Sequence, residues 1–316
     1  MLELPNKNLI IETETIERLN DENLLKLSDE EVMKELLNFK NLALIVTKIR
    51  KGDYIYRVRI QDQEEHPEKR YKNKCHFNYR TDVDKIMEYG RGNLPRNSMF
   101  YGSVYATGSI ENIKVHMTAY MEVSSILHNY QDTSRKHEFF YTSKWQVKED
   151  FEVVAIINHE KFQKNNEPAK YLASKYNEFA KELKEDASNL NLMINYIAEQ
   201  YAREVKKDEN WKYKISANYT QYLLSKGITG VLYPSVKTEG ESFNIVMPPD
   251  KADELLNLTG VALSESHTIG KKSLIGHCLF GRIDNIGNVI WRDVAPKEKL
   301  ENTHVKRFYK EHGQIY

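Results

Sequence analysis

The sequence has little of several things that would assign it to a class at once. Across 316 residues it carries only two cysteines, Cys75 and Cys278, far apart, so a disulfide framework is not expected. It has no excess of charge of either sign: 46 Lys and Arg balance 46 Asp and Glu, for a formal net charge of zero. A broad nucleic-acid surface needs a net basic face to displace counterions from phosphates, so direct nucleic-acid binding is not expected. Long apolar runs are also missing, since the longest, Leu42 to Val46, falls far short of the roughly 20 residues that span a bilayer. Met1-Leu2-Glu3-Leu4-Pro5 has neither the basic stretch nor the apolar core of a signal peptide. The expectation is a soluble cytoplasmic protein with no membrane partner.

Familiar catalytic and metal signatures are scarce as well. There is no internal repeat and no low-complexity tract. Gly90-Arg91-Gly92-Asn93 is not a dinucleotide fingerprint, because the glycine spacing fails after Gly92 and no strand clearly precedes it. Ser235 lacks the Gly-x-Ser-x-Gly elbow of a hydrolase nucleophile. Cys75-His76 and His277-Cys278 do not suit a zinc centre, because neighbours on a strand point to opposite faces and Cys-x-x-Cys spacing is missing. No metal is expected.

What is present is enough to fold. Hydrophobic residues make up 40% of the chain and aromatics 11%, ample for a packed core. Ser28-Asp29-Glu30-Glu31 reads as a capping box, followed by an apolar stripe of Val32, Met33, Leu36, Leu37 and Phe39. Tyr54–Ile60 alternates like a half-buried strand, Gln61 to Lys74 reads as a loop, and Met99–Tyr105 reads as a second strand. Ile113 to Leu127 returns to helical spacing, with Ile113, Met117, Tyr120 and Leu127 on one face. Phe151–Ile157 is a strand candidate. Pro168 to Val205 is the clearest helical region, carrying Leu172, Tyr176, Phe179 and Leu183, then Leu190, Ile194, Ile197 and Tyr201. Strands follow at Ile228–Tyr233 and Phe243–Met247, a short helix at Pro248, and a hairpin of Leu274–Arg282 with Val289–Val294. The expected class is α+β. The expected organisation is a helical N-terminal extension over 1–50, a catalytic domain over 51–260 and a hairpin extension over 261–316 packed on the core.

Three positions stand out chemically. Arg91 sits between glycines that let the backbone approach a ligand, and its planar fork suits phosphate or carboxylate. A solvated arginine on a surface turn fits the same residues, and the physics alone favours it. Glu122 interrupts an apolar stripe of Val115, Ala119 and Ile126 at helical spacing, where an unpaired charge would be costly. A carboxylate bridged to a cation, or a helix edge facing water, accounts for it equally well. Ser235 follows Pro234, which is expected to stop a strand ladder and present the serine at the strand exit. A plain turn is the alternative.

Taken together, Arg91-Gly92-Asn93, Tyr101 in Met99-Phe100-Tyr101-Gly102-Ser103, Glu122 in Thr118-Ala119-Tyr120-Met121-Glu122, Gly227 to Ser235, and Asn244 resemble the RES-domain family, named for an Arg, a Glu and a Ser. Tyr56-Arg57-Val58-Arg59 looks like that family's opening Tyr-Arg strand. The resemblance covers about Tyr54 to Leu258. Three departures are visible: Gly92 stands where the family usually has an aromatic, Arg96 where its turn has a glycine, and Glu122 lies farther beyond Tyr101 than in compact members.

The resemblance implies a fold similar to mono-ADP-ribosyltransferases, with a mixed or antiparallel sheet core and flanking helices. It implies consumption of NAD as substrate, without metal, by a toxin-like enzyme. A helix-turn-helix antitoxin and a second copy of the chain are the protein partners it suggests. Glu122 would stabilise the positive charge that develops on the ribose, and Arg91 would hold the pyrophosphate with Arg57 or Arg59. Tyr101 would offer an aromatic face, Ser235 would hydrogen-bond the nicotinamide amide or its ribose, and Asn244 would orient neighbours. Water or phosphate is the expected acceptor. Transfer of ADP-ribose to a protein uses the same residues, and a non-catalytic nucleotide-binding module is the alternative from another class.

Overall fold

The computed structural model describes residues 7–39, 44–61, 70–104, 115–128, 131–157, 159–164, 166–182, 187–296 and 299–313. Ile113, Leu183 and positions 62–69 of the expected Gln61–Lys74 loop lie outside the described residues. Three helices come first: α1 (Lys7–Arg18), the single turn α2 (Asp21–Leu24) and α3 (Asp29–Leu36). Strands β1 (Val46–Ile49), β2 (Tyr54–Ile60) and β3 (Phe100–Val104) follow, then α4 (Val115–Val123) and the turn α5 (Ser125–His128). Strands β4 (Lys136–Val147) and β5 (Phe151–Ala155) lead into α6 (Glu160–Gln163), α7 (Glu167–Glu182), α8 (Ala187–Ala202) and α9 (Lys214–Ser225). The chain ends in β6 (Val231–Pro234), β7 (Phe243–Met247), α10 (Pro249–Leu255), β8 (Leu256–Ile269), β9 (Lys272–Ile283), β10 (Val289–Asp293) and α11 (Asn302–Glu311).

The described strands form one mixed ten-stranded sheet in the order β1-β5-β6-β7-β3-β2-β4-β8-β9-β10. Only the β5–β6 pair is parallel. The class is therefore α+β, as the sequence pattern implies. Strands β4 and β8 escape the sequence pattern because their inward positions are partly polar. Ser143, Ser264, Ser266 and Thr268 are all at most 2% exposed and interrupt the apolar alternation. Their hydroxyls find partners within the sheet, such as Trp145 Nε1 donating to Ser143 Oγ at 3.0 Å. The expected hairpin is present as β9 and β10, but β8 precedes it in the same meander. The expected boundary at 260/261 falls inside β8.

Helix α4 is shorter than the spacing suggested. It ends at Val123, and Ser124 separates it from α5, with the Ser124 hydroxyl donating to the buried Glu138 carboxylate. Ala119 and Tyr120 pack on Val58 and Phe140, so α4 lies across β2 and β4.

The N-terminal helices are built into a core cluster they share with the sheet. The capping box forms: Glu31 N donates to Ser28 Oγ at 3.2 Å, and Ser28 N donates to Glu31 Oε2 at 2.7 Å. Leu19, Leu24, Val32 and Leu36 share one buried cluster with Met193 and Tyr219 and with the strand residues Val231 and Val246. The buried Lys214 ammonium donates to the carbonyls of Leu24 at 3.1 Å and Leu27 at 2.6 Å. A cation is favoured there, because the last carbonyls of a helical turn carry partial negative charge. Replacing the fully buried Leu24 by Ala is expected to cost about 2–5 kcal/mol. Urea denaturation should then show one transition at lower midpoint; an unchanged main transition with a separate early step would show that these helices unfold alone.

Candidate active site

Four neighbouring strands, β6-β7-β3-β2, carry the polar side chains. Ser103 on β3 lies in register with Asn244 on β7, and Asn244 with Tyr233 on β6. Residues directly opposite across a ladder point to the same face, which places these side chains in a row under α4. Glu122 reaches down from the last turn of α4. Its Oε1 accepts from Ser235 Oγ at 2.5 Å and from Asn244 Nδ2 at 2.8 Å. Ser103 Oγ donates to Asn244 Oδ1 at 2.7 Å, which fixes the amide so that its nitrogen faces the carboxylate. One carboxylate oxygen is thus held by two donors, while the side chain borders a cavity of about 350 Å³.

The opposite wall is cationic. Strands β2 and β3 pair only through Ile55↔Val104 and Tyr56↔Ser103. Past that point the Arg57 side chain bridges them, Nη1 donating to the Tyr101 carbonyl at 2.8 Å. Among the described residues, Arg57 Nε is buried without a hydrogen-bond partner. Burial, with a smaller effect of nearby Arg59, lowers the guanidinium to about 9. An anion in the cavity would relieve that cost and occupy the spare donor.

The loop before β3 is pinned from below. The Tyr101 hydroxyl accepts from Gly92 N at 2.9 Å and donates to Asn93 Oδ1 at 2.8 Å. Burial raises this hydroxyl above its ordinary value, so it remains a donor. Gly92 meets the core so closely that an added Cβ would lie 2.8 Å from Val246 Cγ1. No aromatic side chain fits at that position. Arg96 has φ of 60°, the left-handed conformation a glycine would adopt without strain.

Arg91 points inward rather than into solvent. Its Nη1 donates to the carbonyls of Tyr201 and, at 3.2 Å, Arg203, and its Nη2 donates to the Tyr213 hydroxyl at 3.3 Å. The guanidinium carbon lies 4.9 Å from the Tyr213 ring centroid and 5.7 Å from that of Tyr233. The solvated-turn alternative does not describe it, yet most of its donors are taken by the protein.

The structure therefore brings Arg57, Arg91, Tyr101, Glu122 and Asn244 to one cavity. Ser235 stands behind it: fully buried, it touches Glu122 and accepts from Thr238 N at 3.3 Å, so it supports the carboxylate. The β6–β7 ladder also continues one step past Pro234, through Ser235 N donating to Ser242 O at 2.7 Å, so the proline ends the strand without stopping the pairing. Arg59 is directed elsewhere, donating to the Asn78 carbonyl at 2.6 Å, and lines neither this cavity nor its neighbour among the described residues. Sequence reading did not single out Ser103, Tyr213 or Tyr233. Only Tyr233 carried a signal, as the last aromatic before Pro234.

A second cavity of about 370 Å³ adjoins the first and shares Arg57, Gly90, Asn93 and Tyr101 with it. Its far side adds Arg80 and Lys85.

No protein-family model matches this chain, and no curated protein matches it. Among solved structures, one chain of the crystal structure of the M. tuberculosis MbcT–MbcA toxin–antitoxin complex aligns with a TM-score of 0.27 and 11% identity, covering 68% of this chain and 85% of that chain. Among the described residues, no helix is long and apolar enough to cross a membrane.

Two substitutions test the loop geometry. Tyr101→Phe removes the hydroxyl that pairs with the Gly92 amide and with Asn93 Oδ1, and is expected to cost about 1–3 kcal/mol. Arg96→Gly removes left-handed strain and is expected to gain about 0.5–1 kcal/mol, net of the added unfolded-state entropy. Urea denaturation reads both; a destabilised Arg96→Gly would contradict the strain assignment.

Proposed function

We propose that the chain is an NAD-degrading enzyme that cleaves the nicotinamide–ribose bond, with an ADP-ribosyltransferase-like, RES-like arrangement of residues. The observation that carries this reading is the Glu122 carboxylate, held at one oxygen by Ser235 and Asn244 beside a cavity whose other wall is Arg57 and Arg91. As the bond lengthens, the electron pair leaves with nicotinamide and neutralises its ring, and positive charge develops on the ribose. A fixed carboxylate stabilises that charge as it forms and needs no reorganisation. Water attacks the anomeric carbon to give ADP-ribose and a proton; phosphate in place of water would give the phosphorylated sugar.

The remaining residues suit a dinucleotide. Arg57 offers a buried donor for the pyrophosphate that has no partner among the described residues, and the adjoining cavity adds Arg80 and Lys85, each within ion-pair distance of Asp82, together with Glu88. Arg91, already bonded to backbone carbonyls, would act through its charge and by anchoring the loop rather than as a free clamp. Ser235 is a positioning residue for Glu122. Tyr101 anchors the Gly90–Asn93 loop and borders the cavity. A neutral chain can bind this dianion because the local field decides the matter. An antitoxin and a second copy of the chain remain the macromolecular partners of this reading.

Incubation of the purified chain with NAD, with chromatography of the products, tests it. Free nicotinamide is expected, and Glu122→Gln should slow its release by about 10²–10³ while the protein stays folded. Arg57→Ala should chiefly raise KM. Absence of nicotinamide from wild type, or an unchanged rate in Glu122→Gln, would overturn the enzymatic reading and favour a binding module. Radiolabelled NAD with cell lysate separates hydrolysis from transfer, since a labelled protein band would favour the transferase.

A further inference from the structure

On the pair β4–β8, His137 and His267 face each other directly across the ladder, and Phe139 faces Glu265. Glu265 and His267 are two apart on β8, so all three polar side chains share one face. The next residue, Glu138, turns the other way, to the Tyr120 hydroxyl of α4 at 2.7 Å. The cluster is therefore separate from the Glu122 cavity.

In this cluster one carboxylate oxygen is shared by two imidazoles. His137 Nε2 and His267 Nε2 each lie 3.4 Å from the same oxygen, Glu265 Oε2. A charge-assisted N–H···O contact closes to about 2.7–2.9 Å. Two ligands on a tetrahedral ion with bonds of about 2.0–2.1 Å are instead separated by about 3.4 Å. The three donor atoms all lie within 4.8 Å of one another. The two imidazoles stack with centroids 4.3 Å apart, and Phe139 packs edge-on against His137 at 4.7 Å.

A neighbouring hydroxyl fixes the tautomer. Tyr309 on α11 donates to the Lys136 carbonyl at 3.3 Å, and its oxygen lies 3.4 Å from His267 Nδ1. A carbonyl only accepts, so the hydroxyl proton is committed there, and toward His267 the tyrosine oxygen must accept. Nδ1 then carries a ring proton, and Nε2 is the nitrogen turned toward the carboxylate. Either a proton on Nε2 or a metal ion shared with the carboxylate satisfies that contact. Metal-bound histidines characteristically hold their second nitrogen in this way.

We propose that His137, Glu265 and His267 form a binding site for a divalent transition-metal ion, with zinc the ion this two-imidazole, one-carboxylate set fits. His137 is 39% exposed at its side chain, so the remaining coordination positions open to solvent. The bound ion would join β4 to β8 and, through Tyr309, to α11. Sequence reading passed over this site because the ligands come from strands 128 residues apart and match no spacing motif.

Isothermal titration of the metal-stripped full chain with Zn²⁺ tests the proposal. One ion per chain is expected. His137→Ala, at an exposed position that leaves the core intact, should weaken binding at least tenfold, and His137→Ala with His267→Ala should abolish it. Tyr309→Phe keeps the ring and should weaken binding by about 10–100-fold. Co²⁺ in place of Zn²⁺ should give a visible absorption band in wild type that the double variant lacks. Absence of binding to wild type, or stoichiometry and affinity unchanged in the folded double variant, would overturn the site and leave a hydrogen-bonded histidine–glutamate cluster.

Discussion

The arrangement depends on one carboxylate oxygen. Glu122 Oε1 accepts from Ser235 and Asn244, and these bring together a helix, a strand exit and a central strand that are far apart in sequence. Partly burying a carboxylate beside apolar neighbours is costly unless donors are supplied, and here they come from residues themselves fixed by Ser103 and Thr238. The order of the strands brings those donors together. With β7 beside β3 and β6 beside β7, Asn244 and Ser235 meet the end of α4.

The cationic wall is organised by a different device. The short β2–β3 ladder leaves a place that Arg57 bridges, while Tyr101 fastens the Gly90–Asn93 loop beneath it. Support for that loop reaches back to the N-terminus. Asp29 on α3 accepts from the Tyr89 hydroxyl at 3.1 Å and from Asn218 on α9 at 2.8 Å, and Gln221 on α9 donates to the Gly92 carbonyl at 3.2 Å. Helices that look accessory in the sequence thus brace one side of the cavity through short polar contacts.

Much of the site was legible in the residues, and the reasons for the remainder are physical. Glu122 was visible because a charge in an apolar helical stripe needs an explanation, and the structure supplies donors rather than the cation that a buried charge first suggests. Arg59 could not be told from Arg57, since both lie on one face of β2 and only the partners, Asn78 in one case and Tyr101 in the other, separate them. Ser235 was visible as a residue at a strand exit, but its burial was not, and burial converts it from a ligand contact into a support. Strands β4 and β8 were hidden because serine and threonine occupy inward positions. The His137–Glu265–His267 cluster was invisible because register, not spacing, assembles it.

The most direct measurement is a crystal structure of the full chain with a non-cleavable NAD analogue. The nicotinamide ribose is expected within about 3.5 Å of the free Glu122 oxygen, with the pyrophosphate against Arg57 and the adenosine half toward Arg80 and Lys85. An analogue bound outside this cavity, or one whose ribose lies away from Glu122 while Arg57 Nε stays unpaired, would contradict it.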